Sequence, residues 1–238
     1  MKKTMVDLHT HILPKMDDGA ASTAQSLEML RRQAEQGVDV VVLTPHFYRE
    51  RESVEHFLNR RAHSAARLQA AVDALPEAER ERMPRLVLGA EVAWRPNMRH
   101  WEELEQLCIG STRNLLLELP NSRWSDPVLN TIYNLLNQGI TPVLAHLERY
   151  FQPGRRAAVE HVMSMGVPVQ ISAGSLQIPF LGRKLVRFIE RERNAFLASD
   201  CHNMTSRMPN LGDGAERLRQ KLDPELAEEI LQRGMNLI

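Results

Sequence analysis

The sequence predicts a parallel α/β fold closed into a barrel, and three observations predict it. Short β-branched or leucine-rich runs alternate with longer amphipathic segments, the pattern of parallel strands joined by crossover helices. A chain of 238 residues with 43% hydrophobic content can bury a core large enough for a barrel. Ionisable residues terminate the apolar runs, and the carboxyl ends of barrel strands are where such a fold gathers its chemistry. The length also fits a doubly wound sheet or two small units. We take residues 1–238 as one domain.

Seven strands are expected: Met5 to His9, Asp39 to Thr44, Arg85 to Glu91, Asn114 to Glu118, Thr141 to His146, Pro168 to Ser172 and Ala195 to Ser199. In the first, side chains two apart share a face, so His9 and His11 can aim their ring nitrogens at one point. Ser22 with Gln25 reads as a capping box for a helix closing near Gly37. A long helix follows from about Ser53 to Leu75, whose His56 and His63 lie two turns apart and belong to a solvated face. Ser125-Asp126-Pro127 opens another helix that stops at Gly139, and further helices end at Gly166 and, after Asp223-Pro224, at Gly234. The sequence has no repeat, low-complexity segment or linker.

Charge and cysteine content exclude several functions. Lys plus Arg, 30, equals Asp plus Glu, 30, so no overall field draws the chain to nucleic acid or an anionic membrane. Cys108 and Cys201 alone rule out a disulfide framework and suit a reducing interior. Met1-Lys2-Lys3 mimics the start of a signal peptide, but Asp7, His9 and His11 interrupt the apolar stretch that would have to follow. Apolar runs such as Val40-Val41-Val42-Leu43 are far too short for membrane insertion. A soluble cytoplasmic protein is expected.

Six of the seven expected strands end in, or are followed by, a metal-ligating residue type. The first gives His9 and His11, the second His46, the third Glu91, the fourth Glu118, the fifth His146, and the seventh Asp200 and His202. Any one of these has an ordinary structural explanation, such as Glu91 capping a helix. As a set they do not, because only a barrel brings together residues so far apart in the chain, and buried charges there need an ion as partner. Imidazole and carboxylate without thiolate suit Zn, Mn or Fe(II). Eight or nine candidates exceed one ion's needs, so two or three divalent ions sharing a carboxylate are expected. Such a centre suits hydrolysis, because it lowers the pKa of a bound water and neutralises a phosphoryl group.

The ordered motifs Asp7-Leu8-His9-Thr10-His11, Asp17-Asp18-Gly19, Thr44-Pro45-His46, Gly89-Ala90-Glu91, Ala145-His146-Leu147-Glu148-Arg149-Tyr150 and Ser199-Asp200-Cys201-His202-Asn203 resemble the PHP-domain family. Within it, the chain is most similar to bacterial protein-tyrosine phosphatases of the CpsB/YwqE type. The resemblance runs from residue 5 to about residue 210. It implies a distorted seven-stranded (β/α)7 TIM-like barrel with a trinuclear site, manganese most often, with Fe or Zn as alternatives. Carried over, His9, His11, Glu91 and Asp200 would hold one ion. Glu91 would bridge to a second with Glu118 and His146, while Asp18, His46 and His202 would hold a third. Asp17 remains an alternative to Asp18.

The resemblance also implies that Arg149 and Arg207 grip phosphate oxygens, for which a planar guanidinium fork is suited. The implied substrate is phosphotyrosine in a protein, a bacterial tyrosine kinase that regulates capsular or exopolysaccharide synthesis, and the family allows a homo-oligomer. Tyrosinate is a good leaving group, its phenol pKa being about 10, and needs little help from an acid. Cys201 and Arg207 stand as Cys-x5-Arg, the spacing of cysteine-dependent phosphatases. The intervening residues lack a glycine to wrap phosphate, and Asp200 disfavours a thiolate, so the spacing reads as coincidence. Three other functions share parts of the pattern: a small-molecule phosphatase such as a histidinol-phosphatase, an amidohydrolase, and a non-catalytic regulator stabilised by metal.

Overall fold

A computed structural model describes residues 4–122, 124, 126–152 and 154–238. Every expected strand forms, but the second is followed by a further short strand beyond its expected end and the third breaks before its last residue, giving β1 (Val6–Thr10), β2 (Val40–Leu43), β3 (His46–Phe47), β4 (Arg85–Leu88), β5 (Glu91–Ala93), β6 (Asn114–Glu118), β7 (Thr141–Leu144), β8 (Val169–Ser172) and β9 (Ala195–Ala198). The second strand stops at Thr44-Pro45, where proline has no N–H to continue a ladder. Thr44 offsets this with its side chain: its hydroxyl donates to Thr10 O (3.1 Å) and accepts from Thr10 N (2.9 Å). The third breaks at Gly89-Ala90, so Glu91 opens β5 instead of ending a single strand. Gly89 O accepts from the buried Arg61 guanidinium at 2.7 Å.

These breaks divide the strands between two parallel sheets, β1-β2-β4 and β3-β5-β6-β7-β8-β9. Among the described residues the expected closed seven-stranded sheet does not form. The two sheets are linked through the continuity of the broken strands and a parallel bridge between Thr10 and Cys201, with Asp200 N donating to His9 O (2.9 Å) and His11 N to Cys201 O (2.9 Å). Alternate strand residues Val6, Leu8, Val40, Val42, Leu116, Val143, Phe196 and Ala198 pack with one another across both sheets. The opposite faces, among them Val41, Leu115, Leu117, Val169 and Leu197, join a larger core with the helices. Strands buried on both faces in this way read as nearly continuous apolar runs.

The helices cover the outer faces: α1 (Thr23–Glu35), α2 (Val54–Asp73), α3 (Glu77–Arg80), α4 (Asp126–Asn137), α5 (Arg156–Ser164), α6 (Leu181–Arg191), α7 (Leu211–Arg219) and α8 (Pro224–Gln232). Ser22 caps α1 by accepting from Gln25 N, as expected, while the Gln25 side chain turns back to Ala21 N. Gly37, Gly139 and Gly166 follow their helices with φ between 74° and 79°, left-handed turns that glycine adopts without strain. Gly234 does not end its helix in this way. Helix α8 stops at Gln232 and passes into a 3-10 turn, Arg233–Leu237, that runs through the glycine. Ser125, expected to open α4, and Met1 to Lys3 lie outside the described residues. His56 and His63 are exposed on α2. Among the described residues, no helix is long and apolar enough to cross a membrane.

Candidate metal centre

Strand ends and the loops beside them bring all nine sequence-predicted ligands to one place. In-register pairing sets His46 beside Glu91, and β1 delivers His9 and His11 to the same point, their Nε2 atoms 3.2 Å apart. The β1–β2 register is irregular between Asp7 and Thr10, the kind of departure that re-aims side chains at a strand end. His146 and Asp200 both adopt the left-handed region, with φ of 35° and 54°. For non-glycine residues that conformation is strained, and it is retained where surrounding structure enforces it, commonly at functional sites.

Glu91 lies at the centre and is buried. Its Oε2 is 3.2 Å from His9 Nε2, 3.3 Å from His11 Nε2 and 2.9 Å from His46 Nδ1, while Oε1 is 2.8 Å from His146 Nε2. Asp200 presents Oδ1 to His9 and His11, at 3.5 Å from each Nε2. Asp18 Oδ1 stands 3.5 Å from both His46 Nε2 and His202 Nε2. Glu118 Oε1 is 3.5 Å from His146 Nε2.

Three histidines are oriented through their other ring nitrogen, so that Nε2 is left for the site. His9 Nδ1 donates to Gln170 Oε1 (3.1 Å), His11 Nδ1 to Asp17 Oδ2 (2.7 Å) and His202 Nδ1 to Asp200 O (3.1 Å). This is how metal-binding histidines are held. Asp17 therefore orients His11, and it also accepts from His46 N (2.9 Å) and Gly19 N (3.0 Å). Asp18 is the carboxylate turned toward the other candidate ligands, His46 and His202.

Sequence reasoning missed Gln170. It sits on β8, which corresponds to the one of the seven expected strands without a metal-ligating residue type at its end, and its Oε1 also accepts from His146 N at 2.5 Å. The available signal was a polar residue inside the apolar run Val169-Gln170-Ile171, because a buried amide needs partners.

The residues fit divalent ions. His46 Nδ1, Glu91 Oε2, His146 Nδ1 and His202 Nε2 are buried without a hydrogen bond, although His46 Nδ1 and Glu91 Oε2 are only 2.9 Å apart. Donor atoms this close and this poorly aligned converge on common points more than on one another. Among the described residues, three sets have ligand atoms within 4.8 Å of each other: His11, Asp18, His46 and His202; His9, His11 and Glu91; and His46, Glu91 and Glu118. The sets share members, as expected where ions sit side by side. They differ from the sets implied by family resemblance in drawing His11 toward Asp18 and His46 toward Glu118.

Protonation follows the same geometry. Burial alone would raise the Glu91 carboxyl, but His9, with His11, His146 and His46, holds it well below the carboxylate range. Burial opposes charge on His11 too, yet Asp17 and Glu91 push its imidazole up to about 10. His202 goes the other way, pushed down to about 4 by burial, by His11 and by Arg207. Burial and the nearby Glu91 raise Glu118.

Both predicted arginines reach the site. Arg149 Nη2 and Arg207 Nη2 lie 2.8 and 2.7 Å from Asp200 Oδ2, and Arg149 Nη1 is 3.1 Å from His146 Nε2. Cys201 is buried, and burial, Asp7 and Asp200 push its thiol well above the usual range. Arg207 pairs with Asp200, so the Cys-x5-Arg spacing does not form a thiolate site.

The family model described as capsular polysaccharide synthesis, CpsB/CapC, matches residues 5–238. Over 235 residues the chain is 30% identical to the tyrosine-protein phosphatase YwqE of Bacillus subtilis, covering 93% of this chain and 87% of that one. It is 28% identical over 244 residues to the tyrosine-protein phosphatase CpsB of Streptococcus pneumoniae, covering 95% and 94%. A crystal structure described under YwqE from Bacillus subtilis and CpsB from Streptococcus pneumoniae, "unique metal-dependent tyrosine phosphatases", superposes with a TM-score of 0.78 at 25% identity, over 96% of this chain and 94% of that one. A TatD-family hydrolase from Entamoeba histolytica shares the fold alone, at a TM-score of 0.61 and 12% identity, over 100% of this chain and 98% of that one. On sequence and structure together, the chain belongs to the CpsB/CapC family of capsular polysaccharide synthesis.

Proposed function

We propose that the protein is a metal-dependent phosphomonoester hydrolase acting on phosphotyrosine in proteins, its partner a bacterial tyrosine kinase that regulates capsular or exopolysaccharide synthesis. The observation that carries the reading is the convergence of His9, His11, Asp18, His46, Glu91, Glu118, His146, Asp200 and His202 on one face, with Arg149 and Arg207 at its edge. Relatives named tyrosine-protein phosphatases favour it over a histidinol-phosphatase or a non-catalytic regulator. The fold we propose is one barrel-like domain, in which β2 with β3 and β4 with β5 each count as one strand.

Two or three divalent ions, manganese first among them, would be held by the nine ligands, with Glu91 shared. When bound, they supply a water of lowered pKa and positive charge against the phosphoryl group. The chain's own residues do the rest. Arg149 and Arg207 are 39% and 38% exposed at their side chains, so an incoming phosphate can compete with Asp200 Oδ2 for their N–H groups. A dianion gains charge-assisted hydrogen bonds from both guanidinium groups as negative charge shifts during transfer. Gln170 and Asp17 keep His9 and His11 in the tautomers that leave Nε2 unprotonated for an ion.

Replacement of Arg149 or Arg207 by Ala tests this. Each variant is expected to lose roughly 100-fold or more in kcat/KM on a phosphotyrosine peptide, the usual scale for one transition-state donor, with metal content unchanged. Wild-type turnover in both variants would contradict the assignment.

A further inference from the structure

A cleft of about 680 Å³ is lined by Arg149, Asp200 and Arg207 together with Ile178, Leu181 and Met208, with polar residues such as Ser175 and Gln177 among them. Two of its apolar lining residues are open to water: Ile178 is 49% and Met208 43% exposed. Single exposed apolar residues need no explanation, but two large ones lining the same cleft as a charged site do. Both walls are fixed in place. Ile178 N donates to Ser175 O (3.3 Å) and Ile178 O accepts from Gly182 N (2.8 Å). Gly182 packs so closely on the Leu176 backbone that a Cβ would collide with it. Met208 directly follows Arg207, whose carbonyl accepts from His202 N (2.8 Å) and Asn203 N (3.2 Å) and whose N–H donates to Asn203 Oδ1 (3.1 Å).

We infer that Ile178 and Met208 form an aryl shelf, which receives the phenyl ring of a phosphotyrosyl side chain whose phosphate lies at Arg149 and Arg207. The inference rests on the phosphatase reading and names what selects the ester. In an aryl phosphate the ring is joined directly to the phosphate oxygen, so it meets side chains that line the same cleft as the groups holding the phosphate. A thioether is adaptable and makes favourable contacts with a ring edge, and an aliphatic wall gains by covering exposed area. A phosphoserine offers a single methylene, and a sugar phosphate in the same position would set hydroxyls against Ile178 and Met208.

The test uses metal-loaded protein and measures three quantities: kcat/KM for a phosphotyrosine peptide, and the dissociation constants of phenylphosphonate and of inorganic phosphate by calorimetry. Ile178→Ala and Met208→Ala are expected to weaken phenylphosphonate and lower peptide kcat/KM roughly tenfold each, at the lower end of the ~10–200-fold effects of apolar pocket contacts. Inorganic phosphate should change less than about twofold, because it has no ring to lose. Ile178→Leu should restore most of the loss, and Tyr133→Ala, which removes an exposed ring elsewhere (59% exposed), should change nothing. Equal weakening of phosphate and phenylphosphonate would overturn the inference, since the residues would then act through the arginines. So would no weakening of either. If the wild type bound phenylphosphonate in a shelf-dependent way without hydrolysing the peptide, the phosphatase reading would fail and the shelf would stand.

Discussion

A single amide decides how two of the histidines stand. Gln170 Oε1 accepts both His9 Nδ1 and His146 N, so one side chain sets the His9 tautomer and caps the strained backbone at His146. Replacing Gln170 with Ala leaves two buried donors without a partner. The expected cost is ~1–3 kcal/mol for each donor so stranded, read as a lower unfolding midpoint in denaturant. Activity is expected to fall about 10–100-fold, the usual effect of removing a group that orients a metal ligand. Unchanged stability and activity in Gln170→Ala would show that His9 is held by something else. Asp7, two residues before His9 on β1, works in a similar way: its Oδ1 accepts from Ser199 N (2.9 Å) and its Oδ2 from Gln33 Nε2 (2.5 Å), tying β1 to the chain just before Asp200.

At the scale of elements, the loop Asp17-Asp18-Gly19 joins two of the ligand groups. Gly19 looks in sequence like a residue that frees the loop to turn. In the folded chain its need is space, because a Cβ at that position would collide with the carbonyl oxygen and Cβ of His11. Gly19→Ala is therefore expected to push the loop outward, separate Asp18 from His46 and His202, and lower bound metal by about one ion per chain while the strands stay folded. Elemental analysis beside circular dichroism checks this, and full metal content in the variant would contradict it.

Much of the arrangement was legible because burial on both faces of a strand leaves a continuous apolar run, and a polar residue that ends such a run stands out. That logic finds His9, His46, His146 and Asp200. It does not find β3 and β5, the short strands that follow Thr44-Pro45 and Gly89-Ala90, because two or three residues leave no readable apolar pattern of their own. Nor does it find Gln170 or assign Asp17, whose roles lie in hydrogen bonds to residues distant in the chain.

On the scale of the whole molecule, protons and metal ions compete for one cluster of buried groups. In metal-free protein His11 has its pKa raised from 6.5 to about 10. A raised folded pKa contributes stability that is fully present below 6.5 and is lost as pH climbs toward 10. Asp17 is lowered from 3.8, so its contribution is present above that value and is lost in acid. His202 is lowered from 6.5 to about 4, so its contribution is present above 6.5 and is lost as pH falls toward 4. Chelated protein is therefore expected to melt highest near pH 6.5 and at falling temperature from there up to pH 9. Added metal should behave in the opposite sense, because ligands must be deprotonated, so the gain in Tm on loading should widen as pH rises. A chelated protein whose Tm is flat or rising from pH 6.5 to 9 would contradict this.

The central claim is that the nine ligands and two arginines make a phosphatase selective for phosphotyrosine. It is tested most directly by phosphate release from a phosphotyrosine peptide, beside a phosphoserine peptide and histidinol phosphate, after chelation and again after return of Mn, Fe(II) or Zn. The expected result is turnover of the phosphotyrosine peptide that chelation abolishes and metal restores, with the other two esters far behind. Turnover that survives chelation, or no turnover of any ester with any metal, would contradict it.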